Sequence, residues 1–216
     1  ISFQCFVLRS MGRTAMIDTC IGNDRKREYD VFCDLQNTFL EDLSTAGFPA
    51  ERVTDVLCTH LHFDHVGWNT RLVDGAWVPT FPQARYLFGR REWRHWKHLR
   101  DTGGYHHMDH LVDSIDPILA AGLECFIDPD FRLTDEVSVF PTPGHTPGHV
   151  SVLIESRGER AVITGDLMHS PIQIAIPATE GNFDMDKPLA ARTRSDFVQR
   201  FCDSGTLIIG SHFAEP

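Results

Sequence analysis

No apolar run in the sequence approaches the ~18 residues that a membrane-spanning helix needs, which argues against membrane insertion. No Cys-x-x-Cys pair occurs either. Cys5, Cys20, Cys33, Cys58, Cys125 and Cys202 are scattered through 216 residues, a length that needs no disulfide framework, and they read as reduced, buried thiols. Basic charge is in deficit. At a net charge of −10 the only dense cationic cluster is Arg90, Arg91, Arg94 and Lys97, interleaved with Trp93 and Trp96. It reads as a solvated helix face, and nucleic acid is excluded as a partner. With no internal repeat, low-complexity tract or linker-like shift in composition, residues 1–216 read as a single domain. The start, Ile1-Ser2-Phe3, has neither Met nor a charged-then-apolar leader and reads as truncated. A cytoplasmic location is expected, with a removed signal peptide as the alternative.

Against these absences stands one dense cluster, His60-Leu61-His62-Phe63-Asp64-His65, directly after the apolar, β-rich run at 53–59. An extended chain sends His60 and His62 to one side, and a turn at Asp64-His65 aims further ligands at a neighbouring point. Imidazole and carboxylate suit Zn²⁺, Fe²⁺, Mn²⁺ and Co²⁺. Around the cluster, period-2 and period-3.6 patterns predict a hairpin of strands 3–8 and 13–18 turned at Met11-Gly12, and a helix through Phe39, Leu40, Leu43 and Ala46 ended by Gly47. A hairpin tip is expected at 73–76 and a strand at 84–88, followed by helices over 90–99 and 108–121. The second half predicts strands at 123–127, 137–140, 149–155, 160–164 and 206–209, with a helix at 188–203.

Further candidate ligands stand just past apolar strands: His145 after Phe140-Pro141-Thr142-Pro143-Gly144, Asp166 after Val162-Ile163-Thr164-Gly165, and His212 after Leu207-Ile208-Ile209-Gly210-Ser211. Loops at strand ends collect function because a rigid strand positions what the loop leaves accessible. With Ile17-Asp18-Thr19, His60-x-His62-x-Asp64-His65, Pro143 to His149, Gly165-Asp166 and Ser211-His212 in this order, the chain resembles the metallo-β-lactamase superfamily over nearly its whole length. The resemblance implies an α/β fold, the αββα four-layer sandwich, with a dinuclear site between two sheets. It also implies two Zn²⁺ per chain (or Mn²⁺, Co²⁺ or Fe²⁺), one held by His60, His62 and His145, the other by Asp64, His65 and His212, with Asp166 bridging. Asp18 would support the cluster from behind, and His149 would make hydrogen bonds and bind no metal.

The implied chemistry is hydrolysis by a metal-held hydroxide. Asp64, through its second carboxylate oxygen, and His169 are the catalytic candidates. The segment Phe81-Pro82-Gln83-Ala84-Arg85, the aromatic helix after it and Gly165 to His169 look like the branch of N-acyl homoserine lactonases and methyl-parathion-type hydrolases. Lactonases of that group carry Tyr three residues after the bridging Asp, where this chain has His169, which leans the expectation toward esters and phosphotriesters beside lactones. Trp68, Trp93, Trp96 and Phe213 are candidate walls of an apolar pocket for a small-molecule substrate, although a pair at i, i+3 such as Trp93 and Trp96 more often serves helix packing. A homodimer is expected by resemblance. The alternative functions are a mononuclear iron, persulfide dioxygenase-like oxidoreductase and a β-lactamase or glyoxalase II-like thioester hydrolase.

Overall fold

The computed structural model describes residues 2–214, so Ile1 lies outside them. Along the chain run β1 (Phe6–Ser10), β2 (Arg13–Ile17), α1 (Phe39–Thr45), β3 (Asp55–Leu57), α2 (Phe63–Val66), β4 (Thr70–Val73), β5 (Ala76–Pro79), β6 (Arg85–Gly89) and α3 (Arg90–Thr102). Then come α4 (Asp109–Ser114), α5 (Asp116–Ala121), β7 (Glu124–Ile127), β8 (Val137–Pro141), β9 (Val150–Ser156), β10 (Glu159–Ile163), α6 (Ile172–Ala175), α7 (Lys187–Phe201) and β11 (Leu207–Ile209). The architecture is mixed α/β with several sheets. The chain divides into two compact units. One holds Gln4–Phe88 and Trp96–Phe126, the other residues 2–3, Gly89–His95 and the chain from Ile127 onward.

The first unit is built on a five-stranded sheet in the order β1-β2-β3-β6-β7. Its entry hairpin turns on Met11 and Gly12, whose φ angles of 50° and 81° put both central residues in the left-handed region. That geometry matches the right-handed twist of the flanking strands. Parallel pairing aligns Ile17 of β2 with Leu57 of β3, so the C-terminal ends of both strands open on the same edge. β3 is wholly buried, as a central parallel strand should be. Met16, Ile17, Val56, Leu57, Leu61, Tyr86, Leu87 and Phe88 form the interior around it.

The second unit carries a four-stranded sheet, β11-β10-β9-β8. β9 and β10 join through Arg157 and Gly158, again both at positive φ. β10 and β11 run parallel with Ile163 opposite Ile209, so residues at equal distances beyond each strand become neighbours. Val162, Leu167, Met168, Phe197, Phe201 and Phe213 pack as one apolar cluster under α7. That helix starts where Asp186 accepts a hydrogen bond from the Leu189 amide at 3.0 Å, an N-cap just ahead of Pro188 in the first turn.

Two expectations need correction here. The single helix over 108–121 is two helices, α4 and α5, because Pro117 has no amide to bond the Asp113 carbonyl. The Thr70 hydroxyl takes that carbonyl instead. The cysteines are all free, but Cys58 alone is buried and Cys202 is exposed. Burial holds the Cys58 thiol well above its ordinary pKa.

His110 of α4 is buried beside Trp96, with ring centroids 5.1 Å apart. Burial first, and the nearby Arg27 charge second, push its pKa down to about 4 from 6.5, against a smaller opposing pull from Asp113. Between these values the unfolded chain binds the proton and the native chain does not, so stability rises with pH across that window. The expected gain from this residue is on the order of 3 kcal/mol. Urea unfolding of the metal-free chain at pH 4 and 7 checks it, because His110→Gln should flatten the difference by about that amount.

Candidate metal centre

Each unit assembles its own set of imidazoles and carboxylates at one sheet edge. In the first unit the β2/β3 register brings Asp18 against the loop after β3, where its amide donates to the Leu57 carbonyl at 2.9 Å. Asp18 is fully buried, with φ at 56°, a left-handed conformation that Asp tolerates better than most residues. Its carboxylate accepts hydrogen bonds from the Thr59 amide at 2.7 Å and the Thr59 hydroxyl at 2.8 Å. The same carboxylate takes His65 Nδ1 at 2.8 Å. The loop therefore folds around a buried anion.

Proton positions follow from the acceptors. A carboxylate cannot donate, so His65 carries its proton on Nδ1 and turns the Nε2 lone pair toward Asp64, whose Oδ2 lies 3.7 Å away. Thr59 spends its hydroxyl proton on Asp18, so it can only accept from His60 Nδ1, 3.1 Å away. That leaves His60 Nε2 as a lone pair, 3.0 Å from His62 Nδ1. The rings of His60 and His62 lie 4.6 Å apart and those of His60 and His65 4.1 Å. The short helix α2, which places Asp64 and His65, replaces the simple turn expected from the sequence.

In the second unit the β10/β11 register accounts for a direct contact. Asp166 and His212 each stand three residues past the paired Ile163 and Ile209, and His212 Nε2 meets Asp166 Oδ1 at 3.0 Å. His145 Nε2 reaches Asp166 Oδ2 at 3.3 Å, and His169 Nε2 reaches the same oxygen at 3.1 Å. Behind these rings, His212 Nδ1 lies 2.7 Å from the Ser2 carbonyl and His145 Nδ1 3.3 Å from Asp184 Oδ1. Both partners are pure acceptors, so both rings again carry Nδ1–H and present Nε2 to Asp166.

His149 has the opposite tautomer. Its Nε2 accepts from the Asp166 amide at 3.0 Å, so its Nδ1 donates to the Thr142 hydroxyl at 2.8 Å. The Thr142 proton passes to Ser151, which in turn donates to the Thr164 carbonyl. With Nε2 occupied by backbone, His149 positions Asp166 and has no lone pair to offer an ion.

α7 packs directly on the His145 loop. Thr193 donates to the Pro143 carbonyl at 2.7 Å. Gly144 has φ at 134°, and a Cβ there would stand 2.4 Å from the Ala190 backbone. Gly144→Ala should therefore force α7 and the loop apart, at a cost of about 1–3 kcal/mol, with a lower Tm and weaker zinc binding measured together.

The aromatic pocket walls need correction. Trp96 is fully buried, its ring 5.4 Å from that of His62. Trp68 is buried and stacked on Phe39 at 5.3 Å, and Phe213 belongs to the apolar cluster under α7. All three are interior packing residues, and only Trp93 keeps partial exposure. Asp184 was not apparent from the sequence, where Asn182-Phe183-Asp184 follows no strand and matches no ligand spacing. Its carboxyl is held below the usual range. Burial raises it, but the hydrogen bonds from His145 and Arg194 outweigh burial.

The donor set fits a borderline divalent cation. It consists of imidazole nitrogens, with an oxygen acceptor behind Nδ1 in His60, His65, His145 and His212, together with the carboxylates of Asp64 and Asp166.

The sequence profile described as the metallo-beta-lactamase superfamily matches residues 4–212. An N-acyl homoserine lactonase from Bacillus sp is 29% identical over 150 residues, covering 68% of this chain and 48% of the relative. The chain spans about half the length of most of the curated relatives it matches. Among solved structures, the hydrolase AbOPH of the β-lactamase superfamily superposes with a TM-score of 0.79 at 26% identity, covering 98% of this chain and 72% of that one. AidC, a dizinc quorum-quenching lactonase solved with the product N-hexanoyl-L-homoserine, superposes at 0.75 and 26% identity, covering 99% and 73%. No helix among the described residues is long and apolar enough to cross a membrane. With the profile match spanning nearly all of the chain, this chain belongs to the metallo-β-lactamase superfamily and has its fold.

Proposed function

We propose that the chain is a dinuclear zinc-dependent hydrolase of small lactones, carboxylic esters or phosphotriesters. His60, His62 and His145 would hold one ion and Asp64, His65 and His212 the other, with Asp166 shared. The observation that carries the reading is the uniform direction of the rings. His60, His65, His145 and His212 each tie Nδ1 to an oxygen behind them and keep Nε2 for an ion. Ordinary surface histidines have no reason to share that arrangement. The lactonase relatives support the substrate class.

When bound, the ions would supply a hydroxide at neutral pH and positive charge for the anion formed on attack. The residues do the rest. Asp64, mostly buried at the head of α2, is placed to accept a hydrogen bond from the nucleophile and hold it toward the substrate. His169 is the most exposed imidazole of its set, with 17% of its side chain accessible. Its amide is fixed by Gln173 Oε1 at 2.8 Å, and its ring lies parallel to His212 at 5.5 Å. As water adds and the acyl–oxygen or phosphorus–oxygen bond breaks, the departing alkoxide takes a proton from His169, and the proton given up by the attacking water restores that imidazole.

Metal content and turnover decide the reading. Purified protein should contain about two zinc ions per chain and hydrolyse at least one of a γ-lactone, a p-nitrophenyl ester and a phosphotriester. A chelator should abolish the activity, and added Zn²⁺ should restore it. A single iron with no hydrolysis would overturn the proposal.

A further inference from the structure

Arg194, in the middle of α7, is a fully buried charge outside the ligand set. Its side chain and that of Asp184 are both fully inaccessible. The guanidinium serves three acceptors on one connected segment. Nη1 donates to Asp184 Oδ2 at 3.0 Å, Nε to the Pro177 carbonyl at 2.9 Å and Nη2 to the Thr179 carbonyl at 2.8 Å. Asp184 is itself bidentate in use. Oδ1 meets His145 Nδ1, and Oδ2 also accepts from the Gly181 amide at 3.1 Å. The same segment closes on the His145 loop through backbone bonds from Met185 to the His145 carbonyl and from Asp186 to the Gly144 carbonyl.

Residues 179–183 also line a cavity of about 260 Å³ together with His169, Ser170, Ile172 and Gln173. One planar guanidinium is therefore attached, through Asp184, to the ring of a proposed ligand and, through Thr179, to the lining of the cavity that also holds the proposed proton donor. A fixed three-way fork of this kind cannot be replaced by the point charge of an ammonium group.

We propose that Arg194 and Asp184 are positioning residues with two loads: through Asp184 they set the tautomer and direction of His145, and through Pro177 and Thr179 they hold the segment that lines the cavity beside His169. This rests on the reading of His145 as a metal ligand. A buried ion pair of this kind is expensive to place in an interior, and a hydrophobic residue at 194 would serve helix packing alone. The pair makes sense when the direction of the imidazole must be fixed before any ion arrives.

The test uses two variants and reads metal-free protein first. Asp184→Asn keeps the shape and the Gly181 contact but removes the charge, and Arg194→Lys keeps the charge but cannot reach all three acceptors. Thermal unfolding establishes that each folds. In wild-type protein the ¹⁵N shifts of His145 should report Nδ1–H, and in Asp184→Asn they should report a mixture of tautomers. Zinc affinity in that variant should fall about 10–100-fold, with amide exchange over 177–184 largely retained. In Arg194→Lys, exchange at Thr179 and its neighbours should accelerate, with a smaller loss of zinc affinity. Wild-type tautomer and zinc affinity in Asp184→Asn, together with unchanged exchange in Arg194→Lys, would overturn the proposal. A tautomer shift in protein that binds no zinc at all would instead remove the metal-centre reading and leave the positioning of His145 standing.

Discussion

Asp166→Ala is expected to drop zinc from about two ions per chain to one or none and to reduce hydrolysis on the order of 10³-fold or more. The size of the effect follows from how many groups converge on one carboxylate. His145, His169 and His212 all direct Nε2 to it within 3.3 Å, and its own amide is held by His149. Alanine removes in one step the carboxylate on which three imidazoles converge. Substitution of any one histidine leaves the carboxylate in place and should be milder. Metal analysis after exhaustive dialysis, with turnover measured before and after Zn²⁺ addition, separates loss of metal from loss of chemistry. Wild-type turnover in Asp166→Ala would mean that the reaction takes place elsewhere in the protein.

The second large effect lies behind the His60 loop. Asp18→Asn should lower the stability of metal-free protein by about 1.5–3 kcal/mol, because Thr59 and His65 lose their charge-assisted hydrogen bonds to a buried carboxylate. Asparagine is the informative replacement, since it tolerates the positive φ at this position as Asp does and so removes charge without adding backbone strain. Zinc affinity should fall as well, because His65 loses the acceptor that keeps its proton on Nδ1. Urea unfolding without metal gives the first quantity and zinc titration the second. A change under ~1 kcal/mol in the unfolding measurement would show that the loop does not depend on the anion.

What could be read from the sequence and what could not divide along a physical line. The candidate ligands were legible because they are polar residues placed just past apolar strands, and the hairpins because Met11-Gly12 and Asp74-Gly75 carry the turn in two residues. Pro117 was equally visible, yet the continuous helical spacing around it outweighed the one missing amide. Asp184 and Arg194 were not legible at all. Each becomes meaningful only through a partner distant in sequence, and a lone Arg in a helix usually faces water. The tryptophans misled for a related reason: an indole is equally suited to a pocket wall and to an interior, and only packing decides which it becomes.

The hydrogen bond from His212 to the Ser2 carbonyl joins residues 210 positions apart. Closing so long a loop costs entropy that no local contact returns, so this contact should be among the last to form as the chain folds. The hairpins and α7 can form from nearby residues, whereas His212 acquires its final direction only once the first residues have docked. Recovery of tight zinc binding during refolding should therefore lag behind recovery of secondary structure.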